Sequence, residues 1–145
     1  MNTTVKAPWY YWAVSIVGLL WNSFGGYDYF QTRQRNTEYL AQVGDAQVLL
    51  AWIDSFPMWT QVCWGLGVWG SVLGSVLMLM RSRHAATAFA VSFVAALGSF
   101  GYQWMNEAPA SLDTTANKVI PFVILAIVAF LWWFSRRSTA QGIQK

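Results

Sequence analysis

The sequence predicts an all-α integral membrane protein, a four-helix bundle whose single transmembrane domain occupies residues 1–145. Two observations predict this class. Of the 145 residues, 56% are hydrophobic and only 10% are charged, whereas a soluble domain has about 25% charged residues. The uncharged residues also form long runs, and four of these runs reach the roughly 20 residues that a helix needs to cross a bilayer. The connections between the runs leave no room for a second domain.

The four predicted spans cover about residues 9–31, 57–80, 85–106 and 118–135. Only Arg81-Ser82-Arg83-His84 separates the second span from the third, so these two spans are expected to form an antiparallel hairpin. The apolar run after Lys6 shows no small-x-small cleavage site, and we therefore expect the first span to be an uncleaved anchor.

Basic residues predict the orientation of the spans. Six lie on the side of the two termini, namely Lys6, Arg81, Arg83, Arg136, Arg137 and Lys145. Three lie on the other side, namely Arg33, Arg35 and Lys118. Since cytoplasmic connections carry an excess of Lys and Arg, both termini are expected in the cytoplasm.

The two outer connections differ in pattern. In residues 32–56, apolar side chains recur at helical spacing, which predicts one short amphipathic helix that lies on the membrane or caps the bundle. These side chains are Tyr39, Leu40, Val43, Leu50 and Ile53, and Gly44 weakens the pattern. Residues 107–117 are rich in turn formers, so an irregular segment is expected there.

Polar residues in the first span have two interpretations. Asn22 lies past the membrane midplane and Asp28 lies close to the outer interface, and polar groups at depth usually face the interior of a bundle. One interpretation is a ligand pocket that opens outward, lined by Asn22, Asp28, Trp21, Gln103, Asn106, Glu107 and Arg33. The other is structural: Asn22 makes an interhelical hydrogen bond, and Asp28 pairs with Arg33 or Arg35.

Three of the ten tryptophans lie deeper than an aromatic belt at the membrane interface would place them. They are Trp21, Trp64 and Trp69. Indole rings stack on a sugar, a quinone or a polyene, so these residues are candidates for the wall of a ligand cavity. Filling of the core is the alternative.

Small residues predict where the helices approach one another closely, because they let backbones come together without a hydrophobic driving force. The helix-packing candidates are Gly18, Gly25, Gly67, Gly70, Ser71, Gly74, Ser92 and Ser99. These faces either pack within the monomer or meet a second copy of the chain. The sequence leaves both possibilities open.

Several chemistries are excluded by what the chain lacks. The only histidine, His84, falls in a predicted connection, so neither a histidine metal site nor a bis-histidine haem site is expected. No hydrolase triad can be assembled in the spans, and no phosphate-binding glycine loop occurs. The formal charge of +3 lies in short clusters beside the apolar runs. We therefore expect no catalytic residue, metal, cofactor or nucleic-acid partner, and a lipid bilayer as the surroundings.

Several stretches of the sequence resemble a known family. The most specific is the pattern LLWN-x-x-G-x-x-DY-x-x-T-x-x-RN-x-x-YL, which falls on Leu20, Trp21, Asn22, Gly25, Asp28, Tyr29, Thr32, Arg35, Asn36, Tyr39 and Leu40. The others are Pro57-x-Trp59, the run Trp69–Ser75, the turn Arg81-x-Arg83 and the run Leu131–Arg137. On these residues the chain resembles a family of small, uncharacterised four-helix proteins of the bacterial inner membrane. Some members carry the label sugar transporter.

Two hypotheses for function follow. The first is a non-enzymatic accessory or assembly protein that packs through its small-residue faces, against itself or beside a larger membrane complex. The alternative is a carrier or binder of a small molecule, which the resemblance suggests could be a sugar. Its pocket would face outward at Asn22, Asp28 and Glu107.

Overall fold

The computed structural model describes residues 5–42 and 44–145, and every regular element within these ranges is a helix. The predicted all-α class is therefore confirmed. The helices are α1 (Trp9–Arg33), α2 (Thr37–Leu40), α3 (Ala46–Asp54), α4 (Met58–Leu79), α5 (His84–Met105), a 3-10 helix (Ala110–Leu112) and α6 (Thr115–Ala140). In the described part of the chain, α4, α5 and α6 are long and apolar enough to cross a membrane. Helix α1 is comparably long but more polar, and its role as a span stays a prediction.

The first connection holds two short helices where the sequence predicts one. Gly44 separates α2 from α3, and Asp45 caps the second helix by accepting hydrogen bonds from the backbone N–H groups of Gln47 and Val48, at 2.9 and 3.3 Å. An aspartate at the N-cap satisfies donors that a helix leaves free at its start, so a new helix begins there. Val43, one of the predicted apolar positions, lies outside the described residues.

The outer connection between α5 and α6, predicted as residues 107–117, is shorter and more regular than predicted. It contains the 3-10 helix, and α6 begins at Thr115 instead of 118. The hydroxyl of Thr114 accepts a hydrogen bond from the N–H of Asn117 at 3.2 Å, which caps the helix one turn before the apolar run. At its other end α6 continues past 135 to Ala140.

The four long helices pack in chain order, α1 on α4, α4 on α5 and α5 on α6. The hairpin of α4 and α5 has the closest approach. A Cβ atom at Gly67 would meet the Ala96 backbone nitrogen at 3.4 Å, and one at Gly74 would lie only 2.7 Å from the ring of Phe89. The hydroxyl of Ser92 also donates to the carbonyl oxygen of Gly67 at 2.6 Å. Gly67, Gly74 and Ser92 therefore allow close packing of α4 against α5 within one chain.

Other predicted packing positions behave in different ways. Gly18 faces α6, where its missing side chain leaves room for Leu131, 3.2 Å from an added Cβ atom. Gly70 faces Ser92 at the same distance. Gly25 does not pack within the monomer, because nothing lies within 4 Å of a Cβ atom built there, and its predicted role in helix packing stays a prediction.

The chain closes on itself at the end of the molecule that holds Val5 and Lys145, which we call the terminal end. The opposite end, with α2, α3 and the 3-10 helix, is the loop end. The core cluster of the terminal end consists of Ala7, Tyr11, Met78, Ala85, Phe89, Leu131, Phe134 and Ile143. Its members come from α1, α4, α5, α6 and the tail, so this cluster joins all four long helices.

The last residues turn back into that cluster. Gly142 has a φ of +78°, a backbone conformation that glycine adopts without steric cost. The N–H of Ile143 then reaches the carbonyl of Ser138 at 2.9 Å, which with Gly142 makes a Schellman motif at the end of α6. The motif places Ile143, 3% exposed, in the core.

Backbone and side-chain bonds tie the tail to the turn between α4 and α5. The N–H of Lys145 donates to the carbonyl of Arg81 at 2.8 Å, and the N–H of Arg83 donates to the carbonyl of Lys145 at 2.9 Å. The Arg81 guanidinium donates to the carbonyl of Ile143 at 2.9 Å and to that of Val5. Both ends of the described chain are thus held by one arginine.

Candidate functional site

A cavity of about 640 Å³ lies at the loop end. Helices α1 and α6 meet in the half toward the terminal end, where the ring of Tyr11 contacts that of Phe134 and the side chain of Leu131 packs over Gly18. Toward the loop end, α1 contributes only Asp28 to the cavity lining, and α3, α5 and α6 supply most of the wall. The cavity therefore lies where the long helices stop filling the space between them.

The lining divides into an apolar part and a polar part. The apolar part contains six aromatic residues beside its aliphatic ones, namely Trp52, Phe56, Trp64, Phe100, Trp104 and Phe122. The polar part contains Asp28, Gln103, Asn106, Glu107, Asp113, Asn117 and Lys118. Ligand pockets of about 300–1,000 Å³ typically combine an apolar wall with a few placed polar groups. The cavity has this composition.

Four of the seven predicted ligand-binding residues line this cavity: Asp28, Gln103, Asn106 and Glu107. Ser99, predicted as a packing residue, is 3% exposed and also contributes to the lining. The structure thus brings together the predicted residues of α5 and the connection after it with one carboxylate of α1.

The other three predicted residues lie elsewhere. Asn22 is 5% exposed, and its amide donates to the carbonyl of Ser71 at 3.1 Å and to the hydroxyl of Ser75 at 2.7 Å. This is the structural alternative for Asn22, an interhelical bond between α1 and α4. Trp21 is 41% exposed on the surface, and Arg33 donates to the side-chain oxygen of Gln61 at 2.8 Å.

Asp28 pairs with a phenol and not with an arginine, contrary to the structural alternative for this residue. The hydroxyl of Tyr39 donates to Oδ1 of Asp28 at 2.6 Å. Arg35 instead forms a bidentate pair with Asp54, with N–O distances of 2.9 and 3.1 Å, and this pair lowers the pKa of Asp54. Among the described residues, no hydrogen bond reaches Oδ2 of Asp28.

Burial, then the hydrogen bond to Asp28 and its negative charge, raise the pKa of Tyr39 to about 12 from its usual 10.0. Because the folded value lies above the unfolded one, the stabilisation is complete below about pH 10 and is lost between about pH 10 and about pH 12. We expect the unfolding temperature of the wild type to fall through this window more steeply than that of Tyr39→Phe. Parallel curves for the two proteins would contradict the assignment.

The cavity lining contains more acidic than basic side chains. Lys118 pairs with Asp113 at 3.1 Å, and the two neutralise each other. In the described ranges, Asp28 and Glu107 have no ion-pair partner. The lining therefore carries two uncompensated carboxylates beside its aromatic wall.

Helices α3 and α6 both line the cavity, although the sequence predicts no ligand-binding residue on either of them. Leu49, Trp52 and Ile53 of α3 line the cavity, and so does Phe56, which follows this helix. A signal for them exists, since apolar side chains at helical spacing predict an amphipathic helix in this connection. That pattern does not indicate which surface the helix covers, and the choice between membrane and bundle has to come from the folded chain.

The three tryptophans that the sequence places deep in the membrane have different surroundings in the structure. Trp64 lines the cavity and contacts Tyr29 at a ring distance of 4.7 Å. Trp69 instead covers Gly26, where an added Cβ atom would lie 3.2 Å from its ring. Of the three deep tryptophans, one contributes to the candidate site and one fills space between α1 and α4.

A shallower groove lies at the terminal end. Its lining consists of Trp132, Trp133, Arg136 and Arg137, and the guanidinium of Arg137 lies 5.4 Å from the Trp133 ring.

Within the described residues, no three His, Cys, Asp or Glu side chains come together as a metal site would require.

Comparisons of the chain with protein-family models, with curated proteins and with solved structures find no match. The resemblance to the family of four-helix inner-membrane proteins therefore stays a prediction, and the site has to be interpreted from its own geometry.

Proposed function

We propose that this chain is a non-enzymatic, four-span protein of a bacterial inner membrane that binds a small molecule in the cavity at the loop end. Helix α1 is the fourth span in this proposal. With both termini in the cytoplasm, the loop end faces outward, and the ligand enters from that side. The proposal rests on the second of the two sequence hypotheses, with the pocket moved away from Asn22.

The observation that carries the proposal is the combination of volume and lining. A cavity of about 640 Å³ holds a molecule of several rings or a short chain. Its aromatic wall offers apolar contact, and Gln103, Asn106 and Glu107 offer groups that orient a polar end. A packing defect would leave an apolar void without such groups.

The accessory-protein hypothesis remains the second candidate, on narrower grounds. Its motivating residues Gly67, Gly70 and Gly74 are covered by α5 within the monomer. Gly25 on α1 and Gly101 on α5 are uncovered, with nothing within 4 Å of an added Cβ atom. Small uncovered residues of this kind suit close approach by a partner helix.

Native mass spectrometry of protein extracted gently from its own membrane tests the proposal. We expect a fixed, non-lipid mass on the wild type and its loss in Gln103→Trp, because an indole at this half-buried lining position fills the cavity. Gln47→Trp is the matched control, since Gln47 is exposed on α3 outside the lining. Co-purified subunits in constant ratio, without a small ligand, would favour the accessory hypothesis instead.

A further inference from the structure

The charge of the cavity specifies its ligand more closely than its volume does. Four charged side chains line it, and one ion pair, Asp113 with Lys118 at 3.1 Å, accounts for two of them. Asp28 and Glu107 are left as carboxylates without a cationic partner in the described part of the chain. The nearby arginines do not line the cavity: Arg33 bonds to Gln61, and Arg35 bonds to Asp54.

One carboxylate oxygen of Asp28, Oδ2, accepts no hydrogen bond from the described residues. The residue is half-buried, and its Oδ1 receives the hydroxyl of Tyr39 at 2.6 Å. Its Oδ2 is not buried among other side chains, so this oxygen is accessible to a group in the cavity. A positively charged group in the cavity would supply the missing hydrogen bond and the missing charge together.

The apolar wall favours a cation of a particular kind. Trp104 stacks with Phe122 and with Phe100, at ring-centroid distances of 5.0 and 6.2 Å. Trp52 of α3 lines the same cavity. The faces of aromatic rings attract cations as well as apolar groups. Such a wall beside free carboxylates suits a ligand with both properties.

We propose, on the basis of the proposed function, that the ligand is an organic cation, an amine or quaternary ammonium group carried on an apolar body. The apolar body lies against the rings of Trp52, Trp104 and Phe122. The cationic group lies toward Asp28 and Glu107. A bare metal ion fits less well, since no three ligating side chains come together in the described residues.

Three probes that share one apolar body test the inference: 2-(1-naphthyl)ethylamine, the neutral 2-(1-naphthyl)ethanol and the anionic 1-naphthylacetate. Their binding to the purified full chain in zwitterionic nanodiscs is measured by isothermal titration calorimetry. We expect the amine to bind at least about tenfold more tightly than the alcohol, and the acid to bind more weakly than both.

Variants separate charge from shape. In Asp28→Asn with Glu107→Gln, the preference for the amine should disappear while the affinity for the alcohol is kept. Glu38→Gln is the control, because Glu38 is an exposed carboxylate on α2 outside the lining, and it should leave the preference intact. A preference that survives the double variant would overturn the assignment of these two carboxylates.

The two proposals fail in different ways. If the alcohol or the acid binds as tightly as the amine, and Gln103→Trp abolishes that binding, the cavity is a ligand site but the cation inference is wrong. If no probe binds, or if Gln103→Trp and Gln47→Trp affect the binding of every probe to the same extent, both the cation inference and the binding function are overturned.

Discussion

Alanine at position 74 is expected to lower the free energy of unfolding by about 1–3 kcal/mol, the usual range for overpacking a filled core. A Cβ atom there would lie 2.7, 2.8 and 2.9 Å from three ring atoms of Phe89. Phe89 is fully buried, so its ring has no free space into which to move. The closest helix pair, α4 with α5, would have to separate. Denaturant unfolding in mild detergent, followed by far-ultraviolet circular dichroism, measures the loss.

Gly101→Ala is the matched control in the partner helix. Nothing lies within 4 Å of a Cβ atom there, and alanine in a helix interior is better than glycine by up to about 1 kcal/mol. We therefore expect opposite signs for the two glycine-to-alanine changes. Phe89→Leu combined with Gly74→Ala should recover part of the loss, because a smaller side chain removes the contact. Equal effects at positions 74 and 101 would contradict the packing described for this hairpin.

Replacing Gln144 with alanine is expected to cost about 1–3 kcal/mol through lost hydrogen bonds and unpaired polar groups. Gln144 is 2% exposed. Its oxygen accepts from the hydroxyls of Ser135 and Thr139 at 2.8 and 3.0 Å, and its amide donates to the Tyr11 hydroxyl at 3.2 Å. In the variant, the fully buried hydroxyl of Ser135 loses this acceptor. Thermal unfolding of the detergent-solubilised protein measures the effect.

Gln141→Ala provides the comparison for that experiment. Gln141 is exposed and ends α6 only three residues earlier, so its side chain should contribute less than about 0.5 kcal/mol. The difference between the two variants isolates burial from the generic effect of losing an amide near the end of the chain. A loss of stability that is the same for both would mean that the tail does not insert its side chain between α1 and α6.

Helices are the part of the fold that the sequence predicts well, because hydropathy and helical spacing are local properties. The predicted second and third spans, 57–80 and 85–106, agree with α4 and α5 within about one residue. The apolar run does not predict the end of α6, because that end depends on Gly142 and the Schellman motif, which lie beyond the run. Hydropathy also says nothing about a capped start such as the one at Thr114.

The sequence predicts the site only in part, for a different reason. Depth along a helix indicates that a polar side chain needs a partner, but it does not indicate which neighbour supplies one. Asn22 and Asp28 have similar signals in the sequence, yet Asn22 bonds to α4 while Asp28 reaches the cavity. Gln144 carries no signal at all, because its partners Tyr11 and Ser135 come from α1 and α6. Such pairings are set by the tertiary fold.

The hydrogen bonds from Arg81 to both ends of the described chain have a consequence for membrane topology. The contacts of Arg81 with Val5 and Ile143 place the start of α1, the turn between α4 and α5 and the end of α6 on one side of any bilayer that α4, α5 and α6 cross. Met58, at the far end of α4, is then on the other side. The number of crossings between Val5 and Met58 must be odd, and α1, about 37 Å long, is the described helix of sufficient reach in that interval. A single accessibility label on the turn at Arg83 would therefore assign the side of every connection at once.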